Sequence, residues 1–259
     1  MGISLIISTY NKKDELYLCL LSVKRQTRIP DEVVIADDGS TKDTAEMISK
    51  MNVNFPCPIK HVWQEDRGFR RSLILNKAFA CCEGDYIIQI DGDIIMNRSF
   101  IEDHESVAQK GYFFSGSRGK ISSERTKVML QTQKCNINFF SKGLTRRINT
   151  LRLPFLSFLF YRLQGLRGCN MAFWKKDILQ INGYDESIIG FGYEDNDLST
   201  RLARANVKRR FLKFKAIEYH LFHNHDDNIT KEMQINFELY QKNNANGAIR
   251  VKKGINQYM

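Results

Sequence analysis

"YIIQIDGDIIMN", residues 86–97, decides the fold. An apolar run stops on Asp91-Gly92-Asp93, and a second apolar run begins at Ile94. Burying an unpaired carboxylate near a core is costly. The first run is therefore a strand with a wet carboxyl end, or a positive group sits on its acids.

The same design recurs upstream. "ISLIIS" (3–8) is continuously apolar, as in a strand buried on both faces. The following segment repeats Leu16, Leu20 and Val23 at helical spacing. "DEVVIADDGS" (31–40) is a second strand ending in acids, and "TKDTAEMISKM" a second helix with Ser40 or Thr41 as N-cap. "IKHVWQED" (59–66) is a short third strand, "RRSLILNKAFACC" a third helix, and "GDYIIQIDGD" the fourth strand. This alternation predicts an α/β fold with a mostly parallel sheet and helices on both faces. Ligands of such sheets bind outside the carboxyl ends of the strands. Those ends carry Ser8-Thr9-Tyr10-Asn11, Asp37-Asp38, Asp66-Arg67 and Asp91-Gly92-Asp93.

Past residue 97 the pattern loosens. Between Arg118 and Arg152 Glu124 is the only acid, so the stretch reads as a mobile loop over the site or as a surface for an anionic partner. Order resumes at 166–186. A glycine-rich turn at 190–193 leads into a helix carrying Leu198 and Leu202, and residues 209–227 run from strand into histidines. The expected division is one domain over 1–228, with halves at 1–97 and 98–228, and a peripheral helical tail over 229–259.

The chain of 259 residues has a net charge of +10, which serves solubility or an anionic partner: nucleic acid, phospholipid or a phosphorylated small molecule. Six cysteines without a C-x-x-C pair suggest reduced thiols and a cytoplasmic protein. "MGISLIISTYN" reads as a first strand rather than a signal peptide. The longest apolar region, "LPFLSFLFY" (153–161), is shorter than the roughly 18 residues a membrane span needs. It reads equally as a buried helix or as a peripheral contact with an anionic inner membrane face.

The candidate chemistry lies in five groups. Asp91 and Asp93, one residue apart on an extended chain, point the same way and suit a hard cation such as magnesium or manganese. Asp38 can accept from a ribose or base, although Ser40 beside it reads as a helix cap. Glu194, Asp195 and Asp197 suit a helix dipole, yet Gly190 and Gly192 before them suggest a chain passing close to something, and a carboxylate there could act as a general base. His220, His223 and His225 are three of five histidines and are plausible metal ligands. Arg67, Arg70 and Arg71 open a helix and suit a diphosphate. G-x-G-x-x-G, P-loop and G-x-S-x-G patterns are all missing, which argues against dinucleotide, P-loop and serine-hydrolase chemistry.

Together "ISLIISTYN", "VVIADDGSTKDT", "GDYIIQIDGDI" and "GYDESIIGFGYEDNDLSTRL" resemble the family-2 glycosyltransferases of the GT-A fold. "DRGFRRSLILNKAF" and residues 168–202 look like the branch similar to animal galactosyltransferases and bacterial chondroitin polymerase. The resemblance covers about residues 3 to 225. It implies a UDP-sugar donor, a glycan or lipid-linked glycan acceptor, manganese or magnesium, and inversion to a β-linked product. It places Ser8, Thr9, Asn11 and Asp38 on the nucleotide, Asp91 and Gly92 near the ribose or sugar, and Asp93 on the metal with His220 or His223. Asp195 becomes the catalytic base, with Glu194 orienting the acceptor. Where the family often has Ala-Arg-Asn, this chain has Ile74-Leu75-Asn76, which leaves the diphosphate to Arg70 or Arg71.

Two other readings compete. A nucleotidyltransferase would show a glycine-rich loop after the first strand, and "STYNKKDE" has none. A basic nucleic-acid- or membrane-binding protein with an inactive transferase-like fold fits the charge. The intact acids at 38, 91, 93, 194 and 195 argue against it, and no nucleic acid is expected.

Overall fold

The computed structural model describes all residues except 164 and 225–228. The N-terminal half alternates as the apolar runs predict: β1 (Ile3–Thr9), α1 (Lys13–Val23), β2 (Glu32–Asp37), α2 (Lys42–Asn52), β3 (Ile59–Trp63), α3 (Arg71–Cys81) and β4 (Tyr86–Asp91). The rest adds β5 (Ile94–Met96), α4 (Phe100–Val107), β6 (Tyr112–Gly116), β7 (Arg118–Ile121), α5 (Ser123–Thr132), β8 (Leu144–Thr145), β9 (Asn170–Trp174), α6 (Lys175–Ile181), α7 (Glu194–Arg204), β10 (Lys208–Leu212), β11 (Glu218–His220) and α8 (Ile229–Ala245).

Seven strands form the main sheet in the order β10-β6-β9-β4-β1-β2-β3. Strands β3, β2, β1 and β4 are mutually parallel, while β9 runs antiparallel to both β4 and β6. Both faces of β1 are covered, which is why its sequence is an unbroken apolar run. Leu5 and Ile7 pack with Leu16, Leu20 and Ile48 on one side. Ile6 packs with Ile74, Ala78 and Phe79 on the other.

From β1 the chain builds outward through β2 to β3, then returns to place β4 on the other flank of β1. That reversal opens a crevice at the carboxyl ends of β1 and β4, where open α/β sheets bind ligands. The parallel register sets Ser8 beside Asp91. A second sheet, β5-β11-β7-β8, starts directly after Asp93 and pairs Ile94 with His220.

Two segments depart from expectation. Residues 118–152 are no featureless loop: β7, α5 and β8 are built from them, and Ile121, Met129 and Leu144 share a third core cluster. The apolar 153–161 region is not the buried helix that one reading expects. It forms a 3-10 helix, Pro154–Phe160, with Phe155, Phe158 and Leu159 exposed and Ser157 buried. Among the described residues no helix is long and apolar enough to cross a membrane. The segment after 228 contains α8 and is mostly exposed, with a few residues that reach inward. Asn236 donates to the Ile189 and Phe191 carbonyls, and Ile255 is fully buried beside α3 and α6.

Candidate active site

The crevice is an open cavity of about 1180 Å³. Its floor is the strand ends. Ser8 donates from Oγ to Asp91 Oδ1 at 2.9 Å, a bond that the β1–β4 register makes available. Thr9 lines the cavity with a buried, unpartnered Oγ1. Asp38 follows β2 and accepts from Gln64 Nε2 at 2.6 Å and from the Arg70 backbone N–H at 2.7 Å. Burial pushes the Asp38 carboxyl up, and these two donors pull the other way.

Asp93, just past the tight turn at Gly92, is buried. Lys12 Nζ lies 2.9 Å from its Oδ2, His223 Nε2 3.4 Å from Oδ2 and His220 Nε2 3.5 Å from Oδ1. Burial raises the carboxyl, but His220, Lys12 and His223 outweigh it and hold Asp93 below the usual range. Burial also pushes the His220 imidazole down to about 4, leaving it neutral and able to donate a lone pair at physiological pH. One donor atom from each of Asp93, His220 and His223 lies within 4.8 Å of the others. Asp93 Oδ1 is buried without a hydrogen-bond donor. Carboxylate plus imidazole suits manganese better than calcium, so these residues fit the expected divalent ion. His225, the third histidine of the sequence cluster, lies outside the described residues.

The opposite wall is the start of α7. Tyr193, in a left-handed conformation, turns the chain so that Glu194 and Asp195 face the cavity. The glycines before them serve the packing of α8: a Cβ on Gly190 would lie 2.5 Å from Glu232 Oε2. The close approach inferred from them is thus to the C-terminal helix. Gly168 is different. A Cβ there would lie 2.1 Å from Asp195 Oδ2, so only glycine lets this loop run against the acid. Tyr184 donates to Asp195 Oδ1 at 2.8 Å. Burial, then the charge of Asp195, pushes the Glu194 carboxyl up to about 7.

Arg71 joins the two walls. Its Nη2 lies 3.1 Å from Asp91, and its Nη1 lies 3.3 Å from Asp195 and 3.5 Å from Glu194. Burial opposes its charge, but Asp195, Asp91 and Glu194 more than offset this, and the guanidinium stays protonated.

Ser8, Thr9, Asp38, Arg71, Asp91, Gly92, Asp93, Glu194, Asp195, His220 and His223 therefore all line one cavity. Two expected residues stand outside its lining. The Arg70 side chain turns to the Glu65 carbonyl, and only its backbone reaches Asp38. Asn11 receives the Thr41 N–H at 3.0 Å and donates its own N–H to Ser40, tying the first loop to α2. Sequence reasoning missed Lys12 and Tyr184. The lysine pair after the first strand end was the only local sign of the former.

Comparison with known proteins agrees with this geometry. The pattern of glycosyl transferase family 2 matches residues 4–167, and that of the N-terminal domain of galactosyltransferase matches 157–225. The chain belongs to glycosyl transferase family 2. It is 26% identical over 244 residues to the chondroitin synthase of Escherichia coli, an alignment covering 85% of this chain and 34% of that protein. The chain thus spans about a third of that relative's length. Among solved structures it resembles S. aureus TarS 1-349 in complex with UDP, with a TM-score of 0.64, 16% identity and coverage of 100% of this chain and 68% of that one. It also resembles the mannosyltransferase PcManGT of Pyrobaculum calidifontis in complex with GDP-Man and Mn2+, with a TM-score of 0.59, 17% identity and coverage of 97% and 65%. These likenesses establish the GT-A fold of the family-2 glycosyltransferases.

Proposed function

We propose that the protein moves a sugar from a UDP-sugar to a hydroxyl of a glycan acceptor, in polysaccharide synthesis, by a single displacement that inverts the anomeric centre. One observation carries this reading. The strand-end acids and the Glu194–Asp195 pair face each other across one cavity, with Arg71 shared between them. Asp38, with Thr9 beside it, would accept from the uracil ring, and Ser8 and Asp91 would hold the ribose or the sugar.

Asp93, His220 and His223 would hold manganese or magnesium. Such an ion would supply positive charge to the diphosphate leaving group. Asp195 takes the proton of the acceptor hydroxyl as the new oxygen–carbon bond forms and the bond to the phosphate oxygen breaks. Tyr184 and Arg71 fix Asp195 in place, so the proton acceptor is oriented before the acceptor arrives. An α-linked donor gives a β-linked product. The E. coli relative is a chondroitin synthase, which supports a polysaccharide acceptor.

Calorimetric titration of UDP, with and without manganese, tests the donor side. The expected result is manganese-dependent binding in the wild type that Asp93→Ala loses. A wild type that binds UDP under neither condition refutes the UDP reading, and GDP becomes the next nucleotide to titrate.

A further inference from the structure

The cavity has a basic flank to which the proposed donor contacts assign no role. Arg118 and Lys120 alternate along β7, so both point to the same face of the second sheet. The register aligns them with Glu218 and His220 on β11. Arg167 immediately precedes Gly168, the residue that abuts Asp195. All three line the cavity and are half-buried. Arg146, exposed and following β8, adds a fourth positive charge to the cluster.

This cluster lacks anions. Among the described residues, neither the Lys120 nor the Arg167 side chain has an ion-pair or hydrogen-bond partner. Arg118 donates from Nη1 only to Cys169 Sγ at 3.4 Å, and its Nε is buried without an acceptor. Glu218, its register partner on β11, is fully buried, accepts from Cys169 Sγ at 3.2 Å and forms no ion pair among the described residues. Asp91 also faces Arg118 but is already held by Arg71 and Ser8. Arg118 and Arg146 both act on Lys120 and on Arg167, so these positive charges are close enough to repel one another. Gathering half-buried like charges is unfavourable unless an anion joins them.

The donor diphosphate is one candidate anion, and its proposed seat is at Asp93 and the two histidines. Arg167 instead adjoins Gly168, the residue that abuts the proposed base Asp195. Resting on the transferase reading, we propose that Arg118, Lys120 and Arg167 form an anion subsite for the acceptor, and that the acceptor carries a carboxylate or phosphate close to the hydroxyl that is glycosylated. Guanidinium and ammonium together would grip either group.

The test titrates three oligomers of matched length into the protein with UDP and manganese: a glucuronate-containing oligosaccharide, an oligomeric glycerol phosphate and a neutral cello-oligosaccharide. One anionic oligomer should bind about tenfold or more tightly than the neutral one, and the tighter of the two identifies the anion as carboxylate or phosphate. Lys120→Gln with Arg167→Gln should bring it down to the neutral level and leave the UDP titration unchanged. Three results overturn the subsite: indifference among the oligomers, including no measurable binding of any; a double variant that keeps the preference; and a double variant that loses UDP in proportion, which assigns these cations to the donor. The wild-type UDP titration reports on the transferase reading separately. Its failure removes that reading and this subsite together, whereas UDP binding with indifferent oligomers removes the subsite alone.

Discussion

The two acid pairs of the cavity contain the same functional group in opposite surroundings. At the end of β4, Asp93 has three nitrogen-bearing side chains within 3.5 Å, and they hold its carboxyl low despite burial. At the start of α7, Glu194 is equally buried but has another carboxylate beside it and only a share of Arg71, and its carboxyl rises to about 7. The first environment keeps an anion ready for a cation. The second makes at least one member of the pair receptive to a proton near neutral pH. Residue type does not separate these roles; the neighbours do.

The largest expected difference between the pairs is kinetic. Asp195→Asn should lower turnover of a UDP-sugar by about a thousandfold, the scale of a lost general base, while UDP still binds in the presence of manganese. Asp93→Ala should instead lose the nucleotide. Single-turnover kinetics beside calorimetry would show the split. If Asp195→Asn also abolishes UDP binding, Arg71 has made the two pairs one unit and the division between them fails. If Glu194→Gln costs more turnover than Asp195→Asn, the base is Glu194.

The next difference concerns stability. The Glu194 carboxyl titrates at about 7 in the folded protein against an ordinary 4.5. Its charged form is therefore penalised by folding above pH 7, and the penalty is relieved as pH falls through that window toward 4.5. Glu194→Gln carries no charge at any pH. The variant should gain up to about 3 kcal/mol over the wild type at about pH 8, with the gap closing near pH 5. Urea unfolding at both pH values measures it. A gap that is the same at both would mean that Arg71 neutralises Glu194 fully.

How far this contrast could be read from the sequence follows the same physics. The strand ends were legible because β1, β2 and β4 are buried on both faces, so their apolar runs stop abruptly where the cavity begins. Helix α5 was not: only Thr126 and Met129 are buried on it, too few to make a periodic stripe. Ile255 reaches the core from a segment that is otherwise mostly exposed, so no periodic pattern announces it. Arg71 was legible as a cation opening a helix, but its position between Asp91 and Asp195 depends on sheet order and on α7, which local pattern does not encode. The glycines at 190 and 192 mark a close approach, and the neighbour there is α8.

Lys12 sharpens the comparison most finely, because it already occupies part of the space around Asp93 that a divalent ion would claim. Its ammonium, about a third exposed, lies 2.9 Å from Asp93 Oδ2. A second positive charge arriving at the same carboxylate meets repulsion, screened by solvent at this exposure. Lys12→Met should therefore bind manganese alone about threefold to tenfold more tightly than the wild type at low salt, with the advantage shrinking as salt rises. Isothermal titration with manganese at two ionic strengths checks this. Weaker binding in the variant would mean that Lys12 holds the Asp93 carboxylate in its ligating orientation. The low titration of Asp93 would then rest on His220 and on a lysine built into the cation site, whereas the raised titration of Glu194 comes from burial and a second carboxylate.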